Sequence, residues 1–154
     1  MGNIARMKRS ARDRGTALAE LTVALPLLTM VMLGAVDFAR VWVQSSAVEN
    51  AAHSGAQYGA QTSSHAADSS GIYSAVMDDL NSSPVSAETF DVASQQYCEC
   101  ANGVSVDCDD GTCDTGGVHM YVRVRVNSTF QTLFDYPGVP HQIDVSREAR
   151  IRAR

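Results

Sequence analysis

Charge is missing from one long stretch of this chain. Between Leu21 and Val36 lie 16 residues with no Asp, Glu, Lys or Arg. Basic residues are also scarce after the first 15 positions. Residues 16–154 carry 7 Lys and Arg against 16 Asp and Glu, a net charge of −9. Such a body has little with which to neutralise phosphates, and no nucleic-acid role is expected of it. Catalytic groupings are lacking too. No Ser-His-Asp or Cys-His arrangement is readable. His53, His65, His119 and His141 are dispersed and have no metal-ligand spacing. The chain is therefore not expected to be an enzyme or to carry a cofactor.

What is present is organised by position. The length of 154 residues suits one modest domain, or a membrane helix with a small domain attached. Residues 1–15 form a basic head, with Arg6, Lys8, Arg9, Arg12 and Arg14 against Asp13 alone. The uncharged run follows at once. As a helix, 16 residues span about 24 Å, slightly short of a bilayer core of about 30 Å. Extended back to Thr16 the run is long enough, but it then contains Glu20. A carboxylate inside a span costs roughly 2.5–3.5 kcal/mol on insertion scales. The basic head predicts a cytoplasmic N-terminus, with everything after Asp37 outside. The pattern leaves three readings: a secretory signal peptide, an uncleaved signal anchor, or a leader cut before the apolar run. The first needs small residues at −3 and −1 of its cleavage site, and Leu33/Ala35 is an imperfect pair.

The order of residues favours the third. A basic leader ends at Gly15; Thr16-Ala17-Leu18-Ala19-Glu20-Leu21 follows, then an apolar helix containing Pro26. With "RG" before the span, "AEL" in its first turn, "LPLL" in its middle and "DFAR" at its exit, residues 12–62 resemble the TadE-like minor pseudopilins of the tight-adherence (Flp) pilus system. The resemblance implies cleavage after Gly15 by a prepilin peptidase on the cytoplasmic side. It implies a structural or assembly role in a type IV pilus system of the bacterial inner membrane. Its partners would be other pilins or pseudopilins and the pilus assembly machinery. Cleavage would free an α-amino group on Thr16, close in depth to Glu20. Pairing Glu20 with the amine of a neighbouring subunit offsets the burial of both, and a wrong register leaves both unpaired. The competing reading is a glutamate that snorkels to the interface from a plain anchor. Pro26 removes a backbone donor and tends to kink a helix, which neighbouring helices in a membrane can accommodate.

Beyond the span the helical pattern continues. Ala47, Ala51, Gly55 and Gly59 form a small-residue ridge, and Val48, Ala52, Ala56 and Ala60 a second beside it. Burial against the chain's own domain is the favoured use of both. "TSSHAADSSG" (62–71) is a polar breaker. A second helix is predicted over Ser69–Asn81, with Ile72, Val76 and Leu80 on one face and Ser69 or Ser70 as its cap. "NSSPVS" (81–86) is a loop and Phe90–Cys100 a strand. In Val118–Gln131 apolar and polar residues alternate, giving one buried and one wet face. "DYPGVPH" (135–141) is a turn, and Ile143–Ala153 a closing strand. The expected fold is α+β and pilin-like: a long N-terminal helix packed on a short helix and a small antiparallel sheet. Its parts are a leader (1–15), a transmembrane helix (16–38), a helix extension (39–62) and an extracytoplasmic domain (63–154).

Cys98, Cys100, Cys108 and Cys113 cluster in "CECANGVSVDCDDGTC". Outside the cytoplasm such thiols are expected to form disulfides. A four-thiolate zinc site is the rival, but Cys98-x-Cys100 does not match the usual ligand pairs. Three connectivities are possible. Paired positions of an antiparallel hairpin have nearly constant index sums. The nested set, Cys98–Cys113 with Cys100–Cys108, has sums that differ by three, and the crossed set by seven. A nested hairpin over 98–113 is therefore expected. "DCDDGTCD" (107–114) lacks the spacing of a calcium loop and reads as an acidic, solvated turn. Asn81 and Asn127 match a glycosylation pattern that is common by chance. The remaining alternative, from another class, is an uncleaved, single-pass anchored extracytoplasmic binding module.

Overall fold

The computed structural model describes residues 17–83, 89–114, 116–134 and 138–153, together with the helical backbone of 4–16. The expectations for the side chains of Gly15 and Thr16, for residues 84–86 of the 81–86 loop and for residues 135–137 of the 135–141 turn lie outside the described residues. By its contacts the chain divides into two units, residues 1–39 and 40–154.

One α-helix, α1 (Ile4–Gly59), runs through both the apolar run and its extension, and its helical pattern continues through Pro26. It ends in the expected polar stretch, where Ala60 and Gln61 donate back to Ala56 and Tyr58. That stretch is not wholly irregular, however. It contains a five-residue helix, α2 (Ser63–Ala67), because the Thr62 side chain accepts the His65 N–H and caps it. The next helix, α3 (Ser69–Ser82), is capped by Asp68 rather than by Ser69 or Ser70. The Asp68 carboxylate accepts the Gly71 N–H at 3.0 Å and the Ser70 hydroxyl at 2.7 Å. A full negative charge at a helix N-terminus is the better cap, since it also meets the helix dipole.

Four strands follow: β1 (Phe90–Cys100), β2 (Ser105–Val106), β3 (Val118–Gln131) and β4 (Gln142–Arg152). They form one antiparallel sheet in the order β2-β1-β3-β4. The period of two in β3 has its expected consequence. Val122, Val124, Val126, Ser128 and Phe130 are buried, and the residues between them are not. The fold class is α+β.

The core lies in the second unit, between the inner face of the sheet and two helices. Val122, Val124, Val126 and Ala149 meet Val48, Ala51, Ala52 and Ala56 of α1 and Ile72, Val76 and Leu80 of α3. Both small-residue ridges of α1 are buried here, within the chain's own domain. Their smallness sets the spacing. A Cβ at Gly55 would lie 2.5 Å from Val76 Cγ2, and one at Gly59 would lie 2.9 Å from Val122 Cγ1. Side chains at either position would push α1 off its neighbours.

Candidate functional site

In the first unit, Ala17 to Val36 presents apolar side chains on every side. Leu18, Leu21, Val23, Leu25, Leu27, Leu28, Met30, Val31 and Met32 are all at least half exposed. A helix that is apolar all round belongs in lipid or among other helices. One helix, Ala17–Gly59, is long and apolar enough to cross a membrane. Its polar side chains are handled accordingly. Thr22 and Thr29 donate their hydroxyls to the carbonyls of Ala19 and Pro26, each at 2.8 Å. In hydrocarbon such internal bonds spare the hydroxyls a desolvation cost. Glu20 is exposed, on the first turns of the described helix. It is the single carboxylate of a segment that otherwise offers only apolar and hydroxyl groups.

In the second unit the cysteines are joined, but not as nested pairs. The disulfides are Cys98–Cys108 and Cys100–Cys113, with Cα separations of 5.2 and 5.6 Å. The strand register explains the correction. Cys98 pairs with Val106 and Glu99 with Ser105, so the hairpin is centred on residue 102. The nested expectation needed a centre near 105 and a ladder reaching Cys113. Instead the ladder stops at Val106, and Gly111 N–H donates back to Asp107 O in a tight turn. Cys108 is left two residues past the partner of Cys98, and the returning chain brings Cys113 to Cys100. Gly103, at φ +84°, turns the hairpin where a side chain would be strained. Among the described residues no three His, Cys, Asp or Glu side chains converge as a metal site would require.

The outer face of the sheet carries a cluster that pattern reading treated only as a wet face. Tyr97 and Tyr121 stack across β1 and β3 with centroids 5.8 Å apart. Arg150 lies 4.2 Å above the Tyr121 ring and Arg123 lies 4.7 Å above Tyr97. Glu148 pairs with Arg123 at 3.2 Å and with Arg125 at 2.6 Å, and Glu99 pairs with Arg150. The alternation of aromatic and basic residues in β3 was visible; that Arg123 and Arg150 are directly paired across strands follows only from the β3–β4 register. Each of these three arginines has a glutamate partner within the face, Glu148 being shared by two of them.

Residues 15–57 match the family model of TadE-like protein. The chain carries a TadE-like segment. This family belongs to tight-adherence pilus systems and is in general not enzymatic. No curated protein and no solved structure matches the chain. The TadE-like segment begins at Gly15, contains Glu20 and the whole apolar run, and ends two residues before α1 does. It therefore includes most of both small-residue ridges. The disulfide hairpin and the Tyr97–Arg150 cluster fall outside it.

Proposed function

We propose that this chain is a minor pseudopilin of a tight-adherence pilus, made with a leader that a prepilin peptidase removes after Gly15. The observation that carries the reading is a TadE-like match that starts at Gly15 and runs into a helix apolar on every side, with one carboxylate near its start. In this reading residues 16–38 span the bacterial inner membrane, the basic head is cytoplasmic and residues 63–154 are extracytoplasmic. Disulfides in the second unit accord with an oxidising compartment.

Cleavage leaves a cationic amine on Thr16 at the edge of the apolar layer. Glu20 of one subunit then pairs with the Thr16 amine of the next. In a bundle of otherwise featureless apolar helices, that ion pair selects one axial register, because any other leaves two charges uncompensated in a poorly solvating medium. The partners are other pilins or pseudopilins, the assembly machinery and the peptidase.

Two measurements test this. Intact mass of membrane-purified protein should correspond to a chain beginning at Thr16, and Gly15→Leu should retain residues 1–15. Glu20→Gln should leave membrane level and cleavage largely intact while abolishing crosslinks to other pilins and reducing piliation. Retained leader in cells with an active peptidase, or normal crosslinks and filaments in Glu20→Gln, would overturn the corresponding half of the reading.

A further inference from the structure

The end of the second unit where β3 turns into β4 carries exposed apolar side chains. Leu133, Phe134 and Val139 are 53%, 49% and 47% exposed, and Trp42 is 67% exposed. Single exposed apolar residues need no explanation, but a group at one end of a domain does. The location of that end is fixed by contacts inside the unit. Gln44 of α1 donates to Ser128 Oγ at 3.0 Å, and the Arg40 guanidinium lies 5.1 Å from the centroid of Phe130. Further along, Gly59 approaches Val122. So α1 and β3 run antiparallel, and residue 40 stands beside residue 130. Thr132 N–H donates to His141 O at 3.0 Å, which puts Leu133, Phe134 and Val139 beyond that point. Four extended residues cover at most about 14 Å, so this apolar end lies close to Arg40.

Arg40 is also where the domain joins the apolar helix. If residues 16–38 span the bilayer, Arg40 sits at the lipid boundary whatever the angle of the joint. We infer that the β3–β4 end, through Leu133, Phe134 and Val139, rests in the lipid interface. This rests on the membrane-span reading and adds a second point of contact to it. Aromatic residues are favoured at headgroup level, and interfacial segments bury their apolar side chains about 5–10 Å deep. A second contact would restrict the tilt of the domain on the membrane.

The sole tryptophan of the chain, Trp42, makes the test direct. The full chain is reconstituted in phosphatidylcholine vesicles with and without lipids brominated near the top of the acyl chain. Three proteins are compared: wild type, Trp42→Phe/Phe134→Trp, and Trp42→Phe/Val104→Trp. Val104 is exposed and lies at the opposite end of the sheet. The 14 residues of β3 separate the two ends by roughly 40 Å. The expected result is blue-shifted emission and strong loss of intensity on bromination for tryptophan at 42 and at 134, with no loss at 104. Quenching at 42 but not at 134 would overturn the inference and leave the membrane span standing. Blue-shifted emission at 134 that bromine leaves unchanged would mean that protein covers this end, and would equally overturn it. Chain that fails to float with vesicles, with no quenching at 42, would refute the span itself.

Discussion

Gln44 Nε2 of α1 donates to Ser128 Oγ of β3 at 3.0 Å, across 84 residues of sequence, and both side chains are buried. This polar bond lies beside the apolar packing of Val48, Ala51, Ala52 and Ala56 against Val122, Val124 and Val126. Gln44→Ala should destabilise the domain by about 1–3 kcal/mol, because the Ser128 hydroxyl loses its partner in a dry site. Gln44→Leu with Ser128→Ala replaces both partners by apolar groups and should come within about 1 kcal/mol of wild type. Denaturant melts of Gln44→Leu, Ser128→Ala and the double variant measure the coupling.

Gly55→Ala ordinarily would gain about 1 kcal/mol of helix propensity. Here the new methyl would meet Val76 Cγ2 at 2.5 Å, with Ile72 Cγ2 at 3.3 Å behind it. Overpacking of this kind costs roughly 1–3 kcal/mol and should win. Adding Val76→Ala makes room, so the double variant should be more stable than the sum of the two single effects. Thermal unfolding of all three decides it.

Non-reducing peptide mapping should recover Cys98 with Cys108 and Cys100 with Cys113. The bonded positions are 10 and 13 residues apart, and closing such loops is worth about 3 kcal/mol each in the chain-entropy model. Reduction should therefore loosen residues 101–117 first. Amide exchange in β3 and β4, which pair along their length away from the bridges, should stay slow.

The cap of α3 makes its stability sensitive to acid. The Gly71 N–H, then the Ser70 and Tyr58 hydroxyls, hold Asp68 at about 2 instead of 3.8. A carboxylate with a depressed folded pKa contributes stability above its unfolded value, and that contribution is lost as pH falls through the folded value. The protection factor of the Gly71 amide, its exchange taken relative to the intrinsic rate, should thus fall as pH drops from about 4 to about 2. Asp68→Asn should remove this pH dependence while keeping much of the cap. Tyr58 is affected in the opposite sense: its hydrogen bond to Asp68, then burial, pushes its pKa up. Its share is present below the unfolded value and fades as pH rises through the folded one.

Much of this fold is legible locally. The alternation in Val118–Gln131 and the apolar face of Ser69–Asn81 located β3 and α3 nearly to the residue. The ridges of α1 announced a close-packed surface, because four-residue spacing of Ala and Gly has few other uses. The disulfide pairing was not legible. It depends on where a hairpin turns, and the "ANGV" turn at 101–104 competes in sequence with the "DDGT" turn that follows. Nor was the capping role of Asp68, since Asp and Ser compete for the same position. The Tyr97–Arg150 cluster needs a register that no single strand encodes. The glycine, the glutamate and the uncharged run that the sequence singles out all fall within the family match, which begins at Gly15.

The lie of α1 along β3 has a mechanical consequence. Residue 44 meets residue 128, and residue 59 meets residue 122, so residues 44–59 of the helix are fastened to the sheet. Arg147 of β4 adds a tie to Ser45 and an ion pair to Glu49 at 3.9 Å. A pull applied at residue 40 along the helix axis therefore loads this seam in shear, where every contact must slip together. A pull across the axis would peel the contacts apart one after another. The seam therefore resists a load along the axis of residues 44–59 better than one across it.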